Sequence, residues 1–511
     1  MVVVGLLAFG LARAALLPGI WFWDTAEAQT VGPLLGVMHP TGFPSYVLLG
    51  WLASIVFVPL GDPAFRMNLL SAVLVAVAAG TTVAIARRLG TPLAVAAAAG
   101  FGLATTPIAW SIATHADAHA LHLALVALVV LLLVGWEARV RSRYERGESG
   151  PDRMTDRWLL AAAAVFGVAV ANHSLALLLA PCIVVAVIVV DPGVLRRPRF
   201  VLTAIGISLG IALLLYLQLP LRAGLFRAPL VYGHPETLQG FLYVVLGQQF
   251  GGSVIDPLVD LSGTATDLVG LIGDQFGPLA LLLPAGFIAS FRLWPGFGML
   301  SGLGAVITTL FAVSYRNAMI ERYYLVPILF CWLWLAVLAM VVIRQVFGEL
   351  EWSAPPDDVA QPSAGLTGGW TRSTLSIALA GVMLLPLVTS WPARWADVDR
   401  SQDTSGPRWL DQALTALPQD AVVVSWWSYS TTLWYGQLIE GRRPDLLVID
   451  DRTRLDLGLG DENDVIDSYF GRRPVYVIQT DGDLRKIEQR YLLATVGEPA
   501  NLYRVVGRAG S

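Results

Sequence analysis

Charge is scarce in this sequence: only 14% of its 511 residues are Asp, Glu, Lys or Arg, against about a quarter in soluble globular proteins. The shortage runs along most of the chain, so lipid is the default solvent. Lysine is almost absent, with Lys486 the only one, and the net charge is just −4. With no basic stripe interleaved with aromatics, nucleic acid is excluded as a partner. The two cysteines, Cys182 and Cys331, both lie in apolar runs, where they pack as small hydrophobes and give no redox clue to compartment.

What is present in abundance is long apolar sequence. A membrane helix needs about 20 mostly apolar residues. Eleven runs qualify, at 2–18, 66–86, 92–108, 118–136, 158–172, 174–190, 200–219, 276–291, 298–314, 323–343 and 374–391. The first is kept as a membrane helix, because it lacks a charged n-region and Pro18-Gly19-Ile20-Trp21 is no small-residue cleavage site. With the N-terminus cytoplasmic, fourteen loop arginines before the tail fall inside and five (Arg66, Arg222, Arg227, Arg316 and Arg322) outside. This positive-inside bias predicts residues 392–511 to be extracytoplasmic, and the expected location is the plasma (inner) membrane.

Two outer loops are long. Residues 19–65 include a second apolar run, Tyr46 to Leu60, that reads as interfacial or re-entrant. Residues 220–275 are rich in Gly and Pro, and 349–372 reads as a flexible linker. The tail alternates short apolar strands (421–426, 446–449, 475–478) with helical stretches near 407–417, 430–440, 464–470 and 483–492, as a small α/β domain with a largely parallel sheet would. It contains no glycine-rich phosphate loop and no Cys or His cluster, so nucleotide binding has no support there. The fold class expected is a polytopic α-helical membrane protein of about 11 transmembrane helices (1–391) with a C-terminal extracytoplasmic α/β domain (392–511).

Ionisable groups gather on the outer side. Asp24 and Glu27 stand i, i+3 after the first helix, on one helical face amid Trp21, Phe22 and Trp23. An acid at a helix end can simply be solvated. Two among aromatics point further, because desolvation raises a carboxyl's pKa and suits it to general-base work. His39 lies in a Pro- and Gly-framed stretch, 36–44, whose irregular backbone must be buried in protein or line a cavity. His115, His119 and His122 follow i, i+4, i+7, a spacing that metal ligands and polar cavity linings share, with no fourth ligand evident. Asp117 and His173 fall at the same level. Arg222 and Arg322, at outer helix ends, suit phosphate oxygens or, equally, snorkelling and local pairing.

The stretch Trp23-Asp24 to Glu27, the run 39–44 (His-Pro-Thr-Gly-Phe-Pro), the run 66–71, Ala171-Asn172-His173-Ser174 and the run 232–238 resemble the protein O-mannosyltransferase-like family of GT-C glycosyltransferases, which includes a mammalian enzyme acting on plexin-type receptors. The resemblance covers about residues 15–250 well and the later helices loosely. It implies a GT-C-like fold and transfer of a sugar, mannose or a similar hexose, from a polyprenyl-phosphate donor to a protein or lipid acceptor on the outer face, with inversion. Asp24 maps onto the acid that often serves as catalytic base, and Glu27 onto its second acid. His39, His115, Asp117, His119, His173, Arg222 and Arg322 are the expected substrate-contacting residues. No protein metal site is assigned, and a divalent cation is possible as cofactor. Asp117, His119 and Thr41 stand where the family usually has Glu, Tyr and Pro. A transporter or lipid flippase is the alternative class, against which stand the lack of an internal repeat and of charges deep in mid-helix.

Overall fold

The computed structural model describes residues 1–148, 150–350 and 366–510, and most of the expected linker 349–372 lies outside them. Among the described residues, eight helices are long and apolar enough to cross a membrane. The pair Leu93–Thr105 and Pro107–Ala113, bent by 66°, would be a ninth if counted as one span. Pro107 explains the bend: it lacks an amide hydrogen, and Thr106 before it is extended (φ −64°, ψ 134°). The expected runs 2–18 and 174–190 are shorter apolar helices, Val2–Ala14 and Ser174–Val190, and the interfacial run is Pro44–Val56. The chain is thus an integral membrane protein. On the peripheral helix Pro198–Tyr216 the exposed large hydrophobic residues are Leu202, Ile205, Leu209, Leu213 and Leu214, an apolar surface suited to acyl chains.

Sequence chemistry sets the helix starts. Asp62, Asp117 and Asp152 each accept a backbone N–H at the first turn of Pro63–Arg88, Ala118–Glu145 and Arg153–Asn172. The buried Glu137 carboxylate accepts from Gly296 and Phe297 at 3.0 and 2.9 Å, satisfying backbone donors at the start of Pro295–Val313. Small residues let the helices close up. A Cβ on Gly100 would lie 2.5 Å from the Ala79 carbonyl oxygen, so the contact of Leu93–Thr105 with Pro63–Arg88 requires glycine there.

The tail carries five strands: β1 (Val422–Ser425), β2 (Leu447–Asp450), β3 (Val475–Ile478), β4 (Tyr491–Thr495) and β5 (Tyr503–Arg508), in the order β2-β1-β3-β5-β4. The three expected strands pair in parallel, whereas β5 pairs antiparallel with β3 and β4. The last expected helix ends at Glu488, and β4 begins where the sequence reading continued it. Period-2 alternation splits β1 between two cores. Val422 and Val424 pack with Val465, Ile466 and Ile487, and Val423 packs with Leu410, Leu414 and Leu433.

That second core also takes in Ile20, Ala26 and Ala64, which seats the tail on the first outer loop. The Thr432 hydroxyl donates to the Trp21 carbonyl at 2.6 Å, and the Tyr435 hydroxyl accepts from the Ala64 amide at 3.3 Å. Gly406 makes the closest approach: a Cβ there would sit 2.1 Å from the Ile20 carbonyl oxygen.

Candidate active site

Between residues 19–65, the neighbouring helix ends and the tail lies a cavity of about 510 Å³. Asp24, His39, Asp117, His119, His173 and Arg322 all line it, joined by Tyr232, Gln249, Phe250, Trp427 and Arg452.

The helix Trp23–Leu34 presents Asp24 from its first turn. Trp23 has φ +59°, a left-handed conformation that is strained for a bulky residue and is held by edge packing of its ring on Trp426 at 4.7 Å. Across the cavity, Phe43 is likewise left-handed at φ +46°, so irregular backbone flanks the site on both sides. Arg222, expected as a phosphate ligand, instead donates to the carbonyls of Leu35 (2.7 Å) and Leu34 (3.2 Å). These are orphan acceptors at the end of the helix that carries Asp24, so Arg222 anchors that helix and does not line the cavity.

Arg322 is the hub of the charges. Its guanidinium donates to Asp24 at 2.5 Å and to Asp117 at 3.1 Å, with only 10% of the side chain exposed. Burial alone would raise the Asp24 carboxyl, as its aromatic surroundings led us to expect. Arg322, and after it His39, outweigh burial and hold the carboxyl below its ordinary value. Asp24 is therefore a carboxylate at neutral pH, and the expected upward shift is corrected to a downward one.

Glu27 is fully buried behind the wall. It accepts from the His39 amide at 2.9 Å and from the His39 Nδ1. Burial disfavours the His39 imidazolium, but Glu27 and Asp24 more than compensate and raise it above its ordinary value. Arg452, from the tail, reaches the same carboxylate at 3.4 Å. Burial pushes its guanidinium down to about 10, which leaves it cationic at neutral pH.

The three histidines do not share one helical face. Asp117 caps the helix by accepting the His119 amide at 2.7 Å, so the helix begins at Ala118 and His115 lies before it. His115 stands 3.9 Å from Asp117 and beside Trp21, outside the cavity lining. His122 turns toward the ring of His173. Among the described residues no group of three or more His, Cys, Asp or Glu side chains is placed to hold a metal ion. His119 donates Nδ1–H to Asp117 at 2.8 Å, so its Nε2 is an acceptor, buried and without a partner among the described residues.

Arg452 and Tyr232 were not singled out from sequence as site residues. The usable signal was position: Trp427 and Arg452 come two residues after the carboxyl ends of the parallel strands β1 and β2, where open α/β sheets present ligand-contacting residues. Of the tail aromatics, only Trp427 reaches the cavity. Trp426 and Tyr429 pack on Trp23 and Phe22, and Trp434 and Tyr435 are buried in the docking core.

Residues 24–193 match the family described as "Protein O-mannosyl-transferase TMEM260 N-terminal domain". The chain is 30% identical over 254 residues to the mouse (Mus musculus) protein O-mannosyl-transferase TMEM260, an alignment covering 48% of this chain and 33% of that protein. The chain thus spans about a third of the length of this curated relative. Its fold is similar to that of ArnT from Cupriavidus metallidurans bound to undecaprenyl phosphate, with TM-score 0.64, 12% identity and coverage of 99% and 97% of the two chains. It is also similar to the archaeal oligosaccharyltransferase AglB from Archaeoglobus fulgidus, with TM-score 0.53, 14% identity and coverage of 100% and 74%. The GT-C-like fold and the resemblance read from the sequence motifs are both supported.

Proposed function

We propose that this chain is a membrane glycosyltransferase that moves a sugar, mannose or a similar hexose, from a polyprenyl-phosphate carrier to a hydroxyl of a protein or lipid acceptor, with inversion. The setting is the outer face of the plasma (inner) membrane, with the tail extracytoplasmic. The observation that carries the reading is the Asp24–Arg322–Asp117 cluster on the wall of a cavity large enough for a sugar and its phosphate. Support comes from the family match over residues 24–193, which include Asp24 and Asp117 of that wall, and from a shared fold with a protein solved with undecaprenyl phosphate.

In the reaction, the acceptor oxygen attacks the anomeric carbon as its bond to the phosphate oxygen breaks. The hydroxyl proton passes to the Asp24 carboxylate, which Arg322 keeps ionised and aimed into the cavity. Polyprenyl phosphate leaves with the bonding electrons, its charge faced by Arg322. His119 Nε2 offers an acceptor for a sugar hydroxyl, and Trp427 offers an aromatic face.

The test is transfer of label from polyprenyl-phosphate mannose by the reconstituted full chain. Asp24→Asn should lower the rate by about 10²–10⁴-fold, the usual contribution of a general base. Wild-type transfer by that variant would remove Asp24 from the role. Failure of the wild-type chain to release sugar from any polyprenyl-phosphate hexose would overturn the reading.

A further inference from the structure

Two arginines line the cavity, and they are committed differently. Both keep a buried Nε without a hydrogen-bond partner among the described residues, but Arg322 spends both terminal nitrogens on carboxylates, Asp24 and Asp117. Among the described residues Arg452 has one ionic contact, to Glu27 at 3.4 Å, and Glu27 already accepts twice from His39. The Arg452 guanidinium lies 3.0 Å over the Tyr232 ring, which fixes its plane. Its Nε is buried with no hydrogen-bond partner among the described residues. A fixed planar fork with an unspent edge, facing a cavity, is the geometry that takes phosphate oxygens in a bidentate way.

The support around Arg452 comes from the long outer loop. Arg452 sits on the short helix Asp451–Asp456 after β2, whose start is held by the Asp450 carboxylate accepting the Thr453 amide at 2.7 Å. The Gly233 amide donates to the Asp456 carboxylate at 3.2 Å, and the His234 Nε2–H donates to the Asp456 carbonyl at 3.2 Å. Tyr232, Gly233 and His234 thus clamp the tail helix and orient its arginine over the cavity.

We infer that Arg452, delivered by the tail, binds the phosphate of the lipid-linked donor, so that the donor site is composite and complete only with the tail docked. This rests on the lipid-phosphate reading above. Glu27 holds the guanidinium in place when the cavity carries no anion, and the incoming phosphate takes up the unspent edge.

The test compares binding of undecaprenyl phosphate and of neutral undecaprenol to the full-length protein in lipid nanodiscs. Wild type should prefer the phosphate. Arg452→Gln should weaken undecaprenyl phosphate binding at least tenfold and leave undecaprenol unchanged, and Arg452→Lys, which keeps the charge but not the fork, should fall between. Undiminished phosphate binding by Arg452→Gln, or an equal loss for both lipids, would overturn the inference while leaving the proposed function standing. A wild-type protein with no preference for the phosphate would overturn both.

Discussion

Replacing Arg322 with Gln removes the one cation that bridges Asp24 and Asp117, and its consequence for pH can be worked out. Two unit charges about 4 Å apart in an effective dielectric of about 20 interact by about 4 kcal/mol, enough to outweigh the cost of burying the carboxylate. Asp24 keeps 25% of its side chain exposed, and the His39 imidazolium remains close. Together these reduce the effect without reversing its direction. The sign follows from the competing effects. In wild type the carboxyl is held below its ordinary value, so the base is ionised through neutral pH and is lost only as pH falls through the depressed value. Without Arg322 burial prevails, and that acid limb moves up. Loss of a charge facing the leaving phosphate should also cost about 10²–10³ in rate. The assay is kcat/KM for polyprenyl-phosphate-sugar transfer from pH 4 to 9, with Arg322→Lys retaining charge but unable to span both acids. An acid limb that stays in place in Arg322→Gln would refute the coupling of Arg322 to the base.

Gly406→Leu should undock the tail, because a Cβ there meets the Ile20 carbonyl at 2.1 Å. Limited proteolysis should cut the tail faster, and transfer should fall with it. Glu137→Ala strands the buried amides of Gly296 and Phe297, at about 1–3 kcal/mol each. The thermal midpoint in detergent should drop by several degrees while KM for donor holds, because Glu137 does not line the candidate cavity. On the proposed mechanism Arg322 brings positive charge to the leaving phosphate, so transfer is expected to survive dialysis against EDTA; loss restored by Mg²⁺ or Mn²⁺ would assign a cation to that role. With Cys182 and Cys331 replaced by Ala, a Cys at the exposed Ser468 should react with an impermeant maleimide on intact spheroplasts, and one at Glu145 only after permeabilisation.

Hydropathy made the membrane helices legible, because lipid demands one simple pattern of length and apolarity. Asp24, His39 and His119 were legible as polar residues where the chain can least tolerate them without a use. Partners were harder to read. Arg222 and Arg322 look alike in sequence, each a lone cation at an outer helix end. Only the fold shows that one meets backbone carbonyls and the other two carboxylates. The raised pKa expected for Asp24 counted the aromatics beside it in sequence and omitted a cation 298 residues away. Arg452 was missed for the same reason: its partners Glu27 and Tyr232 lie more than two hundred residues earlier.

The cavity wall that begins at Trp23 is finished by Arg452, and this has a consequence for biogenesis. On the proposed roles, the candidate base is made early and Arg452 is made 428 residues later. The cavity cannot be whole until the tail has formed its parallel strands and settled on residues 19–65. On that reading, newly inserted chains stay silent toward the lipid pool until docking, and activity reports the meeting of two distant stretches of sequence.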